Sequence, residues 1–383
     1  LATCPTYQLL GDERDGPRGR IYLMKQVLEG AEPTASTQLH LDRCLTCRSC
    51  ETTCPSGVRY GALVDIGRRI VEQKVGRPPV EAARRYSLRK GLLARTLFGA
   101  ALATGRMAKG WLPHELARRI PDARSAGAWP PARHARRMLV MQGCVQPSIA
   151  PNIDAAMARI LDRIGISAVR AAAGGGCCGA LSEHLSAHDE ALAIARRNVD
   201  AWWPAVEAGA EAIIVTASGC GVTVRDYAHL LAEDPGYAQR AERIARLARD
   251  PVEVIAAEWK AIGPRIALDR GSLRVAFHAP CSLQHGMQIK GQVEELIDAM
   301  GHQRLPITDG HLCCGSAGTY SILQPQLAGQ LKRNKLAALE AERPHVIASA
   351  NIGCITHLAS GTDRPVRHWI ELLDERMLDA GRG

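Results

Sequence analysis

Apolar and polar residues change their period several times along this chain, and each change marks an element. The stretch GDERDGPRGRIYLMKQVLEG opens with turn formers and runs into apolar positions at Ile21, Met24 and Leu28, the spacing of a helix. Val64, Ile66 and Ile70 predict a second helix. Leu88, Leu92, Leu93, Leu97 and Phe98 then recur at helical spacing, while Arg84, Arg85, Arg89, Lys90 and Arg95 carry charge among them. Such a basic segment suits an anionic membrane surface, a partner subunit, or packing against the next domain. The Pro-rich AWPPARHARR, around residues 128 to 137, reads as a linker.

Beyond the linker, β-branched runs alternate with helical stretches, and the whole pattern occurs twice. MLVMQGC is answered by LRVAFHAPC, GGGCCGALS by HLCCGSAGT, IARRNV by LKRNKL and AIIVTASGC by HVIASANIGC. The offsets hold steady at 137, 136 and 134 residues (281 − 144, 313 − 177 and 354 − 220). Two similar half-domains related by a pseudo-two-fold are expected. In each, a strand ends in Cys144 or Cys281 and a helix follows (NIDAAMARILDRIG or QVEELIDAMG). Then come a short strand, Cys-Cys-Gly, a longer helix and a strand ending in Cys220 or Cys354. This alternation predicts a mostly parallel sheet with right-handed crossovers. The cysteines then gather at the carboxyl ends of strands, where open α/β folds build their sites.

Composition narrows the chemistry. At 383 residues the chain is long for one core and predicts two or three domains. A 46% hydrophobic and 23% charged composition fits a globular protein, while 4% aromatic residues leave little base-stacking surface. The net charge of +9 is spread without aromatic interleaving, so nucleic acid is not an expected partner. TLFGAALATG, the longest uncharged stretch of the Arg-rich segment, is about half the length of a spanning helix. There is no GxGxxG after a strand, no P-loop and no Ser/His/Asp signature. Thirteen cysteines, odd in number and tightly clustered, point to metal or redox work in a reducing compartment.

The strongest local signal is CLTCRSCETTCP, in which Cys44, Cys47, Cys50 and Cys54 make CxxCxxCxxxCP. Three thiolates at steps of three turn inward on one 4Fe-4S cubane, and the fourth, followed by Pro, turns toward a second cluster. Zinc sites use Cys pairs separated by a longer loop and fit this spacing poorly. The lone Cys4-Pro5 near the start is the end of a matching motif. Cys4 then completes the set of Cys44, Cys47 and Cys50, and Cys54 serves a cluster whose other ligands lie before Leu1, in a natural chain starting about twenty residues earlier. Arg14, Arg18 and Arg20 lie between the motifs, either stabilising a reduced cluster or forming a solvated face.

The fold class expected is therefore mixed, α+β with α/β. A helical two-cluster ferredoxin-like domain over 1–75 is followed by a basic helical linker over 76–137 and two pseudo-symmetric α/β halves over 138–265 and 266–383. Cys144, Cys177, Cys178 and Cys220 form one candidate metal site, and Cys281, Cys313, Cys314 and Cys354 the other. Soft thiolates select iron-sulfur or zinc; buried small hydrophobes in a structural scaffold are the other reading. His278, His285 and His311 flank the second site, and His184 and His188 follow the first, as ligands, proton relays or packing groups. Asn198 and Asn334 recur between the halves as packing or capping groups.

With CPTYQLLGDERDGPRGRIYLMKQVLEG, LDRCLTCRSCETTCPSGVRYG and two Cys-Cys-Gly repeats, the chain resembles the glycolate oxidase (glycolate dehydrogenase) iron-sulfur subunit family over essentially its whole length. More broadly it is similar to the third subunit of anaerobic glycerol-3-phosphate dehydrogenase and to heterodisulfide reductase subunits. The resemblance implies a subunit with no catalytic residues of its own. It relays electrons from FAD-containing dehydrogenase subunits, which oxidise glycolate to glyoxylate, toward quinone or another downstream acceptor. The place implied is cytoplasmic, peripheral on the inner face of the cytoplasmic membrane. The alternatives are the iron-sulfur subunit of another 2-hydroxy acid or glycerol-3-phosphate dehydrogenase, or a heterodisulfide-reductase-like catalytic subunit. One departure matters: the full repeat ends in CxxC, and here Ala217 and Asn351 replace the first Cys of that pair. A five-thiolate cluster is thereby in doubt, leaving a four-ligand cluster, zinc or an empty site.

Overall fold

The computed structural model describes residues 3–171, 174–268 and 271–377. The N-terminal domain is a small helical cluster. Pro17 opens the helix Pro17–Leu28, which packs on the helix Tyr60–Val75. Gly67 makes that contact possible, because a Cβ there would stand 2.2 Å from Met24 Sδ. The buried face is Met24, Val27, Leu41, Tyr60, Val64 and Val71. Two of the apolar positions that marked these helices are off phase: Leu28 and Ile66 are exposed, Val27 takes the interior beside Leu28, and Val64 is buried as expected.

The basic segment forms the helices Pro79–Leu93 and Arg95–Ala108, neither of which buries a residue. Its cations nevertheless find partners across the molecule. Arg85 meets Asp42 at 2.8 Å, Arg84 donates to the Ile322 carbonyl at 2.6 Å, and Lys90 meets Glu190 at 2.9 Å. The segment thus straps the first domain to both halves. The linker ends slightly before residue 137, since the first strand starts at Arg136, and Trp129 anchors it by donating to the Ala168 carbonyl at 3.2 Å.

The halves carry the same sheet twice. In the first, β1 (Arg136–Val140), β2 (Ile166–Val169), β3 (Ile213–Ile214) and β4 (Ala248–Arg249) run in the order β2-β1-β3-β4. In the second, β5 (Arg274–His278), β6 (Gln303–Arg304), β7 (Val346–Ser349) and β8 (Val366–His368) run β6-β5-β7-β8. Every pairing within the sheets is parallel. The edge strands β4 and β8 extend the expected pattern. The final cysteines do not end strands: Cys220 and Cys354 sit in the first turns of the helices Ser218–Arg225 and Ile352–Ala359.

One hydrophobic core runs through both halves and includes Met138, Ile160, Val275 and Trp369. The helices Asn152–Arg163 and Trp369–Arg376 cross the boundary, with Arg159 and Arg163 each 2.6 Å from Asp374. The strand ends also meet there. His368 Nε2 lies 2.9 Å from the Thr216 carbonyl, and the Ser218 N–H donates to the Ala350 carbonyl at 3.1 Å. Because Trp369 is fully buried in this shared core, Trp369→Ala should cost about 3–5 kcal/mol. Chemical denaturation followed by fluorescence and circular dichroism should show both halves lost in one earlier transition; two separated transitions would contradict a shared core.

Candidate metal centre

Four of the five N-terminal cysteines come together. Thr46 and Arg48 adopt left-handed backbone at φ 51 and 58, turning the loop so that its thiols face inward. Arg68 fixes the loop, donating to the carbonyls of Cys44 at 2.6 Å and Leu41 at 2.9 Å and to Thr46 Oγ1 at 2.9 Å. Cys4 precedes the helix Pro5–Leu10, and its thiol lies 3.9 Å from Arg20 Nη1. Arg20 is itself buried, among Asp15, Thr6 and the His40 carbonyl. By contrast, Arg14 and Arg18 form exposed pairs with Asp12 and Glu13.

The electrostatics show what this pocket wants. Burial by itself would raise the Cys44 thiol, but Arg20 and Arg68 outweigh it and bring the thiol below its ordinary value. The Thr46 N–H and the Tyr60 hydroxyl also donate to its sulfur, at 3.4 and 3.6 Å. Burial followed by the charges of Cys44 and Cys4 pushes Cys50 up to about 12. Burial and then Cys281 raise Cys47 as well. Thiols gathered this closely cannot all ionise without positive charge held among them, and the irons of a cluster supply it. The donor set of Cys4, Cys44, Cys47 and Cys50 fits a 4Fe-4S cluster. Cys54 stands apart, its thiol lowered by the backbone N–H groups of Val58, Ser56 and Gly57.

Each cysteine-rich half brings its four thiols together in a string. Neighbouring thiols in the string, Cys144 with Cys177, Cys177 with Cys178, and Cys178 with Cys220, lie close enough to perturb one another. The second half repeats this with Cys281, Cys313, Cys314 and Cys354, the first pair 3.8 Å apart. Gly179 and Gly315, at φ +93 and +88, turn the chain after each Cys-Cys, and their N–H groups donate at 3.4 Å to Cys177 and Cys313. A Cβ at Gly315 would come 2.8 Å from the Ala328 carbonyl. Asn351, where CxxC would place a Cys, points Nδ2 at Cys354 Sγ from 3.5 Å and accepts the Gly219 N–H of the other half at 3.3 Å.

These three thiol groups open on one cavity of about 1700 Å³, lined by Cys44, Cys47, Cys144, Cys177, Cys281 and Cys313 among others. The first domain is seated on the second half by a patch in which Leu45, Cys313, Tyr320 and Leu331 pack with Cys47 and Cys281. The Tyr320 hydroxyl donates to the Arg43 carbonyl at 3.1 Å, and Thr52 Oγ1 lies 2.8 Å from His285 Nδ1. Toward the first half, Arg48 meets Asp226 at 2.6 Å.

The supporting residues were harder to foresee. Asn198 is a buried clamp: it accepts the Gly176 N–H at 3.0 Å and donates to the Cys177 carbonyl at 2.7 Å. Tyr227, 2.8 Å from Asn198, donates to the Cys178 carbonyl at 2.8 Å. Asn334 does not repeat this role, being exposed and bonded to Gln330. Register shows why: IARRNV over LKRNKL sets Asn198 against Lys335, whose buried Nζ holds the Asp309 carbonyl at 2.8 Å. Asp154 ties Gln146, beyond Cys144, to Thr216, before Cys220. Among the candidate histidines, His184 pairs with Asp65, His188 with Glu183, and His285 with Thr52 and the His311 carbonyl.

Fold and thiol geometry together define an iron-sulfur protein with a ferredoxin-type domain and duplicated cysteine-rich halves. Residues 1–59 match the 4Fe-4S dicluster domain family, and residues 138–225 and 275–359 match the cysteine-rich domain family. The chain belongs to the family of glycolate oxidase iron-sulfur subunits. It is 53% identical over 377 residues to the glycolate oxidase iron-sulfur subunit of Escherichia coli (strain K12), covering 98% of this chain and 91% of that one. A probable glycolate oxidase iron-sulfur subunit of Bacillus subtilis (strain 168) is 29% identical over 404 residues, covering 95% and 87%. Lactate utilization protein A of an Exiguobacterium strain is 25% identical over 247 residues, covering 62% and 96%.

Asn198→Ala leaves the Cys177 carbonyl and the Gly176 N–H without their partner and should cost about 1–3 kcal/mol. Alkylation of Cys177 and Cys178 in the metal-free protein should then accelerate relative to Cys313 and Cys314. Equal acceleration in both halves, or none, would show that Asn198 does not hold the loop.

Proposed function

We propose that this chain is the electron-transfer subunit of a membrane-associated glycolate dehydrogenase complex. It passes electrons from FAD-containing subunits that oxidise glycolate to glyoxylate toward quinone. The observation that carries the reading is the seating of the first-domain thiol loop, through its Cys47 edge, on the cavity that both cysteine-rich halves share. The name and near-complete coverage of the Escherichia coli relative support glycolate as the substrate of the complex.

A bound 4Fe-4S cluster supplies one-electron chemistry with little movement. Cys4, Cys44, Cys47 and Cys50 would hold it. Arg20 and Arg68 offset the negative charge added on reduction, and the donors on Cys44 Sγ favour the same state. Leu45, Tyr320 and Leu331 exclude water where Cys47 meets the second half. The two thiol strings are places for a further cluster or zinc. On this reading glycolate binding and acid-base chemistry belong to the partner subunits rather than to the described residues of this chain.

Membrane contact has its own support. No helix among the described residues is long and apolar enough to cross a bilayer. The basic segment nevertheless exposes Leu97, Met107 and Trp111 at 61, 84 and 91%. That surface supports our reading of peripheral seating on the inner face of the cytoplasmic membrane.

Combined anaerobically with its flavoprotein subunits and given glycolate, the full chain should lose the visible absorbance of oxidised clusters and gain a reduced-cluster EPR signal, and Cys44→Ser should abolish that signal. Reduction by glycerol 3-phosphate or another 2-hydroxy acid in place of glycolate would move the chain to a different dehydrogenase. Turnover of a disulfide by the chain alone would make it catalytic. Separately, Met107→Ala with Trp111→Ala should weaken sedimentation with anionic vesicles about tenfold or more; unchanged sedimentation would remove this surface from the membrane.

A further inference from the structure

The halves differ at one buried position that the duplication makes easy to find. His278 ends β5 three residues before Cys281, and the matching residue three before Cys144 is Met141. His278 is 2% exposed, and neither Nδ1 nor Nε2 has a hydrogen-bond partner. A buried imidazole without a partner is costly unless something else occupies its nitrogen. Its backbone is fixed, since Ser349 Oγ donates to the His278 carbonyl at 3.0 Å.

What faces the ring is sulfur. The ligand atoms of His278, Cys314 and Cys354 all lie within 4.8 Å of one another. Three points so spaced share a centre no more than about 2.8 Å from each (4.8/√3), close to zinc-ligand lengths of about 2.0 Å to nitrogen and 2.3 Å to sulfur. All three residues are buried, and His278 and Cys314 lie behind the cavity wall. Ligand atoms so close together suit a single ion. Asp12, Asp15 and His40 are spaced as closely, but Asp15 is already neutralised by Arg20 and Arg43.

We propose that the second cysteine-rich half binds a single zinc-class ion through His278, Cys314 and Cys354, with the adjacent Cys313 thiol, which stands outside that close group, turning in to the fourth position, a site that Met141 denies to the first half. Nitrogen and three sulfurs form a set that zinc takes in closed structural sites. The charge also balances. Three thiolates and a divalent ion carry one net negative charge, and the buried Lys335 Nζ, which holds the Asp309 carbonyl at 2.8 Å in the turn before Cys313, is the basic group placed to offset it. In the first half Asn198, a neutral residue, stands at the Lys335 position. Cys281 is left at the edge that meets Cys47. This assignment goes beyond the electron-transfer reading and does not depend on it.

The test uses the full chain, produced with zinc available and purified anaerobically, beside His278→Ala and His278→Cys. Zinc and iron are counted by mass spectrometry, and zinc ligation is read by X-ray absorption. The wild type should hold zinc with nitrogen and sulfur neighbours. His278→Ala should lose about one equivalent of zinc, the content of a single mononuclear site. His278→Cys should keep its zinc and exchange the nitrogen neighbour for sulfur. Iron content and the first-domain EPR signal should be the same in all three, which reports folding; if His278→Ala fails that control, His278→Cys decides alone. Iron rather than zinc tracking residue 278, a wild-type zinc shell without nitrogen, or a nitrogen shell surviving in His278→Cys would each overturn the proposal. Glycolate-driven reduction is not among these readouts, so a failed electron-transfer reading would show independently of the zinc result.

Discussion

Buried thiolates repel one another, and most of this molecule is organised around holding them together. A cysteine in an apolar interior prefers to stay protonated, and a second thiolate nearby strengthens that preference. Ligation needs the opposite. In the first domain the remedy is two buried guanidinium groups, Arg20 and Arg68, which bring Cys44 below its ordinary range despite full burial. Arg20 is itself compensated by Asp15, so the charge is fixed in place rather than merely present. Neither arginine can deprotonate to escape its environment, which makes both dependable counter-charges for a centre that gains and loses electrons.

The same constraint shapes the halves. Each sheet directs loops from the ends of three strands to one place, so residues separated by dozens of positions meet as a string of four thiols. The glycine after each Cys-Cys lets the chain turn back beneath the sulfurs, and its N–H adds a donor to the first of them. Around this shared plan the copies diverged in their support. One clamps its loop with the neutral pair Asn198 and Tyr227, the other with the cation Lys335. The matched position therefore carries a neutral amide in one copy and a basic amine in the other.

Much of this was legible in the sequence, and the rest was hidden for definite reasons. The Cys44 to Cys54 loop could be read because its ligands are local, so spacing alone carries the geometry. The duplication could be read because its offsets barely drift. The edge strands β4 and β8 could not, since Ala248–Arg249 and Val366–His368 are too short to show a period. Leu28 and Val27 are neighbours near a helix end, where a small phase error exchanges an exposed residue for a buried one. Asn334 was misleading because residue type was matched instead of register. His278 looked like several other histidines in sequence; only burial without a partner separates it from His184, His188 and His285, each of which is bonded.

The seating of the first domain gives the asymmetry a consequence. Cys47 and Cys281 pack in one apolar patch, so the cluster loop rests directly on the half that carries His278. A redox-inert ion behind that surface would hold the Cys313 and Cys314 turn in one arrangement whichever oxidation state the neighbouring centre adopts. The thiol string of the first half opens on the same cavity through Cys144, Cys177, Cys178 and Cys220, with Met141 in place of the histidine. On the zinc assignment proposed above, the duplication would leave two similar sites with different duties: one half a rigid seat for the cluster loop, the other open to the electron path.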